Sequence, residues 1–223
     1  MLPDINLISN RQFKISNFEE DKIATLEANP GLRYDGKIDD LRKFSGSFYL
    51  TSSEGKLIES FGIIILIPKA YPNTFPIVIS VDDKIEKTEN YHIGKEGIIC
   101  VEHTYVANKL AGAGLRLYDF ISYYLPKYFS WVLLKQTGIT ENLLEWGHQD
   151  RGTIQVYETL LETTDKFAIR LFLEGFVKAK KIGRNDRCYC GSGKKLKYCH
   201  YEAAVFLKTT SKKSIAKDAS LFS

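Results

Sequence analysis

The sequence predicts an α+β fold: an antiparallel β-meander flanked by helices, followed by a small metal-binding module. Three observations carry that expectation. β-rich runs follow one another between residues 42 and 83 with turn residues between them. Three-to-four spacing of apolar residues takes over after residue 100. Three cysteines and a histidine crowd into residues 188–200. With 223 residues, 44% hydrophobic and 13% aromatic, the chain can bury a full core.

The first element, "SNFEEDKIATLEANP" (16–30), reads as a short helix, with Ser16 and Glu19 at capping-box spacing and Asn29-Pro30 as its stop. "RKFSGSFYLTSSEGKLIESFGIIILIP" (42–68) offers two strands around a turn at 52–55, and "FPIVISVDD" (75–83) a third, which makes a meander. In "LRLYDFISYYLPKYFSWVLL" (115–134), Leu115, Tyr118, Ile121 or Ser122, and Leu125 mark a helix that Pro126 is expected to kink or break. A second long helical pattern covers 153–180, with Ile154, Tyr157, Leu160, Leu161, Phe167, Leu171 and Phe176 as one apolar stripe for core packing. Gly183 ends it, and residues 209–223 read as a mobile tail.

The net charge of +4 is unevenly spread. Between Lys178 and Lys217, twelve Lys or Arg face only Asp186 and Glu202, a local +10 that leaves the remainder of the chain at −6. Such a region attracts nucleic acid or an acidic partner, but basic surface is common, so specific nucleic-acid binding is not the leading reading. The longest apolar run, at 61–68, is far short of a membrane span, and the first ten residues lack a signal pattern. The expectation is a cytoplasmic protein with no membrane partner.

"GRNDRCYCGSGKKLKYCH" (183–200) places Cys188 and Cys190 one residue apart, and Cys199 beside His200 after a Gly-Ser-Gly turn. Thiolate and imidazole ligands in close pairs joined by a tight loop suit four-coordinate Zn2+. A disulfide is disfavoured because a cytosol keeps thiols reduced. All four ligands come from protein, so the zinc is expected to be structural. Nearby Lys194, Lys195, Lys197, Arg184 and Arg187 offset the formal charge of three thiolates. The segment closely resembles the SEC-C zinc motif, except that Arg187 and Tyr189 stand where that pattern has prolines.

Cys100 is the cysteine left over, in "YHIGKEGIICVEHTYV" (91–106), flanked by His92 and His103. A lone cysteine reads as packing, a ligand or a nucleophile. Its context narrows the choice. The run from Gly46 through "YLTSSEGKLIESFGIIILIPKAYPNTFP" to "YHIGKEGIIC", with Tyr71, Pro72, Pro76, Gly97, Ile99 and Cys100 at matching places, resembles the ubiquitin-conjugating (E2) fold. That resemblance implies a thioester at Cys100 with the C-terminus of a ubiquitin-like carrier, passed on to an acceptor. His92 stands where the family has an asparagine credited with oxyanion stabilisation. It reads equally as a donor there or as a loop-packing residue. "LEWGHQDRG" (144–152) resembles the divergent bacterial members, in which His148 would act as general base. The plainer reading of His148 is a cap on the next helix.

An E2-like domain joined to a SEC-C tail resembles proteins of bacterial antiphage (CBASS) operons, which implies the C-terminus of a cGAS-like nucleotidyltransferase as partner. A separate activating enzyme would supply any ATP-driven charging. Two alternatives stay open: a non-catalytic E2-variant binding module, and a cysteine peptidase for a ubiquitin-like tag built on Cys100, His148 and Asp150. The expected layout is a conjugating domain at 1–162, a connecting helix at 163–182, the zinc module at 183–207 and a flexible basic tail at 208–223.

Overall fold

The computed structural model describes residues 17–139, 147 and 149–223. The described residues divide into two compact units, one up to residue 139 and one from residue 147 on.

The first unit is mixed α+β. Helix α1 (Phe18–Ala28) is capped by Asn17, whose side chain accepts from the Glu20 amide, so the cap lies one residue beyond the expected Ser16. Ser16 itself lies outside the described residues. Five antiparallel strands follow in simple sequence order: β1 (Leu32–Ile38), β2 (Leu41–Thr51), β3 (Leu57–Ile67), β4 (Ile77–Ser80) and β5 (Ile98–Ile99). The three expected strands are present, and two edge strands join them. β1 escaped notice because "LRYDGKI" mixes charge with a glycine, and β5 because it is two residues long. In β3 the alternation is clean: Phe61, Ile63, Ile65 and Ile67 point into the core.

Two helices complete this unit, α2 (Thr104–Gly112) and α3 (Leu117–Gln136). Pro126 lies inside α3 without ending or dividing it, which excludes the break that the sequence offered as one outcome. Proline costs the partner of the Ser122 carbonyl, and Ser122 is exposed, so water can serve that group. Buried residues on both sides of Pro126, from Phe120 and Leu125 to Phe129 and Val132, hold the helix in one piece. Phe129 stacks on Phe61 of β3 at 4.1 Å and on Phe48 of β2 at 5.4 Å.

A buried carboxylate ties α1 to the start of α3. Asp21 accepts from the amides of Leu117 (2.6 Å) and Tyr118 (3.3 Å) and from the Tyr71 hydroxyl, and lies 3.5 Å from Arg116 Nε. These are orphan amides of a helix N-terminus, satisfied by a residue 96 positions away. Burial and the Asp21 acceptor push the Tyr71 phenol far above its usual range.

The second unit is helical. The expected single helix over 153–180 is two: α4 (Asp150–Leu161) and α5 (Lys166–Lys178). Glu162 adopts the left-handed conformation that ends α4, and Asp165 caps α5 by accepting from the amides of Phe167 and Ala168. Breaking the stripe leaves Phe167 65% exposed, while Tyr157, Leu161, Ile169, Phe172 and Phe176 are buried. α4 therefore lies with the C-terminal unit instead of ending the N-terminal domain at 162.

The tail expected to be flexible is folded. After α6 (Tyr201–Leu207), residues Lys212–Asp218 form α7 and Ala219–Phe222 a 3-10 turn. Ile215, Ala219 and Phe222 are buried at helical spacing. The Tyr157 hydroxyl donates to Asp218 at 2.9 Å, and Lys212 donates to the carbonyls of Val177 and Ala179 at the end of α5. The abundance of lysine hid three apolar residues that share one face. Among the described residues, no helix is long and apolar enough to cross a membrane.

Candidate metal centre and candidate thiol site

The metal-ligand set is built by a tight backbone knuckle. Arg187 and Lys195 form an antiparallel bridge, the Cys188 amide donates to the Lys194 carbonyl at 2.7 Å, and the Leu196 amide donates to the Asp186 carbonyl at 2.8 Å. Between them, Gly191 and Gly193 take φ of +82° and +71°, which a side chain would strain. Leu196 is fully buried and anchors the 3-10 turn (Leu196–Tyr198) that delivers Cys199 and His200.

One ligand atom from each of Cys188, Cys190, Cys199 and His200 lies within 4.8 Å of all the others. Cys190 and Cys199 sulfurs are 3.6 Å apart, and His200 Nδ1 is 3.3 Å from the Cys188 sulfur and 3.4 Å from that of Cys199. A tetrahedral centre with ordinary zinc bond lengths has edges of about 3.7 Å between sulfurs and about 3.5 Å between sulfur and nitrogen. The match is close. It is far from a disulfide, which needs sulfurs at about 2.05 Å.

The second nitrogen of His200 completes the argument. Nε2 lies 3.0 Å from the Leu161 carbonyl, at the end of α4. A carbonyl only accepts, so the proton sits on Nε2 and the Nδ1 lone pair faces the three sulfurs. Phe172 packs edge-on against the same ring at 5.5 Å. Burial pushes the Cys188 thiol up to about 12, and a cation beside it would favour the thiolate.

The family model of the SEC-C motif matches residues 184–202. Residues 184–202 are a SEC-C motif. No curated protein and no solved structure matches the chain. The four SEC-C ligands expected from the sequence are thus brought together, in a geometry compatible with a metal such as zinc. Arg187 and Tyr189, which replace the prolines of the pattern, leave the ligands undisturbed; Tyr189 packs against Phe172 at 5.7 Å.

Cys100 lies in the other unit, immediately after β5, and is exposed. A small hairpin presents it: the Cys100 amide donates to the His92 carbonyl at 2.8 Å, Ile93 bridges Ile99, and Gly94 and Gly97 make the turn. His92 takes the left-handed conformation (φ 53°) and its ring tilts against Trp131 at 5.4 Å. His92 and Cys100 are therefore neighbours through the backbone. His103 serves as the N-cap of α2, its Nδ1 accepting from the Tyr105 amide at 3.3 Å. His148 lies outside the described residues.

Sequence reasoning missed Glu102, beside the thiol, and two residues of α3. Glu102 is buried, and its carboxylate accepts from the His103 amide at 2.9 Å. Burial around the sulfur, then the Glu102 carboxylate, push the Cys100 thiol above its usual value, and a backbone contact with Glu102 offsets part of this. Burial lowers the Lys127 ammonium and the Glu102 charge partly restores it, while Tyr128 donates to the Tyr91 carbonyl at 2.7 Å. Lys127 and Tyr128 come from α3, far away in sequence. Glu102 lies two residues from Cys100, but a lone carboxylate there belongs to no recognisable motif.

Proposed function

We propose that this chain is an E2-like cysteine acyltransferase with a structural zinc in its SEC-C motif. The observation that carries this reading is the exposed Cys100 at the end of a small hydrogen-bonded hairpin, in a unit whose order of elements is helix, meander, cysteine loop, helices. In the reaction, the Cys100 sulfur attacks an activated C-terminal carbonyl, a thioester forms as the original thiol leaves, and an acceptor amine then displaces Cys100. His92 is a candidate donor to the oxyanion, and positioning rather than an acidic thiol drives transfer. His148 is the candidate general base for the acceptor. The carrier is a ubiquitin-like protein or the C-terminus of a cGAS-like nucleotidyltransferase, in the antiphage setting that the sequence resemblance implies. Zinc closes the SEC-C knuckle with four protein ligands, leaving no position for substrate.

The test is a transthioesterification. Purified protein mixed with a synthetic peptide thioester ending in Gly-Gly gains one peptide mass at Cys100, and loses it on adding hydroxylamine. Cys100→Ala gains none. Acylation at other residues, or none in the native chain, refutes the reading. The raised Cys100 thiol is the one observation that favours the alternative, a non-catalytic binding module, and absence of the adduct selects it.

A further inference from the structure

A groove of about 460 Å³ lies in the C-terminal unit, between the end of α5 and the link from α6 to α7, outside the SEC-C motif. Four ammonium groups line it, from Lys180, Lys181, Lys208 and Lys212, and no carboxylate does. All four lysines are exposed. Lys212 is held by the carbonyls of Val177 and Ala179, which fixes one charge at the wall. Among the described residues, no ion pair joins Lys180, Lys181 or Lys208 to an acidic group. Half-buried Ala179 and Ile182 give the groove an apolar face, with Phe176 beneath them.

We infer that this groove docks an extended acidic peptide segment carrying an apolar anchor. Concentrated like charge in a concave site raises the local concentration of an opposite charge. The chemistry of the lining selects the partner. Lysines are point charges without the planar fork of arginine, and no exposed aromatic ring lines the groove for a base to stack on, so nucleic acid lacks its usual footholds. Carboxylates from a strand-like segment meet the ammonium groups, while an aliphatic side chain meets Ala179 and Ile182. The volume suits a short stretch of chain.

The experiment titrates the metal-loaded full chain into a fluorescein-labelled peptide of alternating Asp and Leu, reading anisotropy. Parallel arms use the Asn-for-Asp peptide and a labelled oligouridylate. The expected result is saturable binding of the acidic peptide that weakens with salt, and at least tenfold weaker binding by the K180E/K208E chain. Lys212 is left intact because it caps α5. The K180Q/K208Q chain, which removes charge without reversing it, should lie between, and metal content confirms that each variant retains its fold. Unchanged affinity in both variants, equal binding of the Asn peptide, tighter binding of the oligouridylate, or no saturable binding each overturns the inference.

Discussion

The backbone amide of Cys100 donates to the carbonyl of His92 at 2.8 Å, which makes the two residues the closing pair of one small hairpin. Inside that pair, Ile93 and Ile99 are buried while Ile98 is exposed. A slip of one residue would turn an isoleucine out and the cysteine in, so the same hydrophobic register that seats the hairpin keeps the thiol at the surface.

Gly97 sets that register. It holds φ +80°, and a Cβ there would meet the Ser80 carbonyl at 2.6 Å. Gly97→Ala should destabilise the first unit by about 1–3 kcal/mol, readable by urea unfolding, and alter the rate at which Cys100 reacts with iodoacetamide. Unchanged stability would contradict the hairpin geometry.

Burial raises the Cys100 thiol, and the charge of Glu102 adds to that rise. A carboxylate beside sulfur favours the protonated form, so Cys100 alkylation should rise with pH to a midpoint above that of an ordinary cysteine. Glu102→Gln keeps an acceptor for the His103 amide but removes the charge. It should shift the midpoint down and speed alkylation near pH 7.5. An upward shift would contradict the assignment.

Asp21 should be among the costliest polar residues to lose. Asp21→Ala orphans the Tyr118 amide, leaves the Leu117 amide with the Tyr71 hydroxyl alone and takes away the carboxylate beside Arg116, an expected loss of about 3–5 kcal/mol in denaturant unfolding. Tyr71→Phe, which removes only one donor to that carboxylate, should cost less.

The metal centre predicts one bound ion per chain by elemental analysis. Cys199→Ser should lose it, and a cobalt-loaded chain should give the visible spectrum of a tetrahedral thiolate site. Because His200 also holds the end of α4 through Leu161, removing the metal should lower the melting temperature of the C-terminal unit.

The folded tail is tested by Phe222→Ala. Phe222 is buried and packs edge-on against Tyr157 at 5.8 Å. Its loss should cost about 3–5 kcal/mol and expose residues after 209 to limited proteolysis. A tail without packing would show neither effect.

Local pattern made much of this protein legible. Four metal ligands within thirteen residues, with two glycines between them, leave few ways to close a tetrahedron, so the SEC-C knuckle could be read directly from the chain. The apolar, isoleucine-rich run from Phe61 to Ile67 likewise marks a strand, although which of its residues face the core came only from the sheet.

Amino-acid order alone determined the meander, the metal ligands and the prominence of Cys100, because each depends on neighbours a few residues away. Tertiary structure alone decided that Asp21 caps a helix 96 positions on, that Lys127 feels the charge of Glu102, and that a lysine-rich tail folds. Those outcomes turn on desolvation and on pairing across distant segments. Both arise only when packing removes water from groups that the linear sequence leaves far apart.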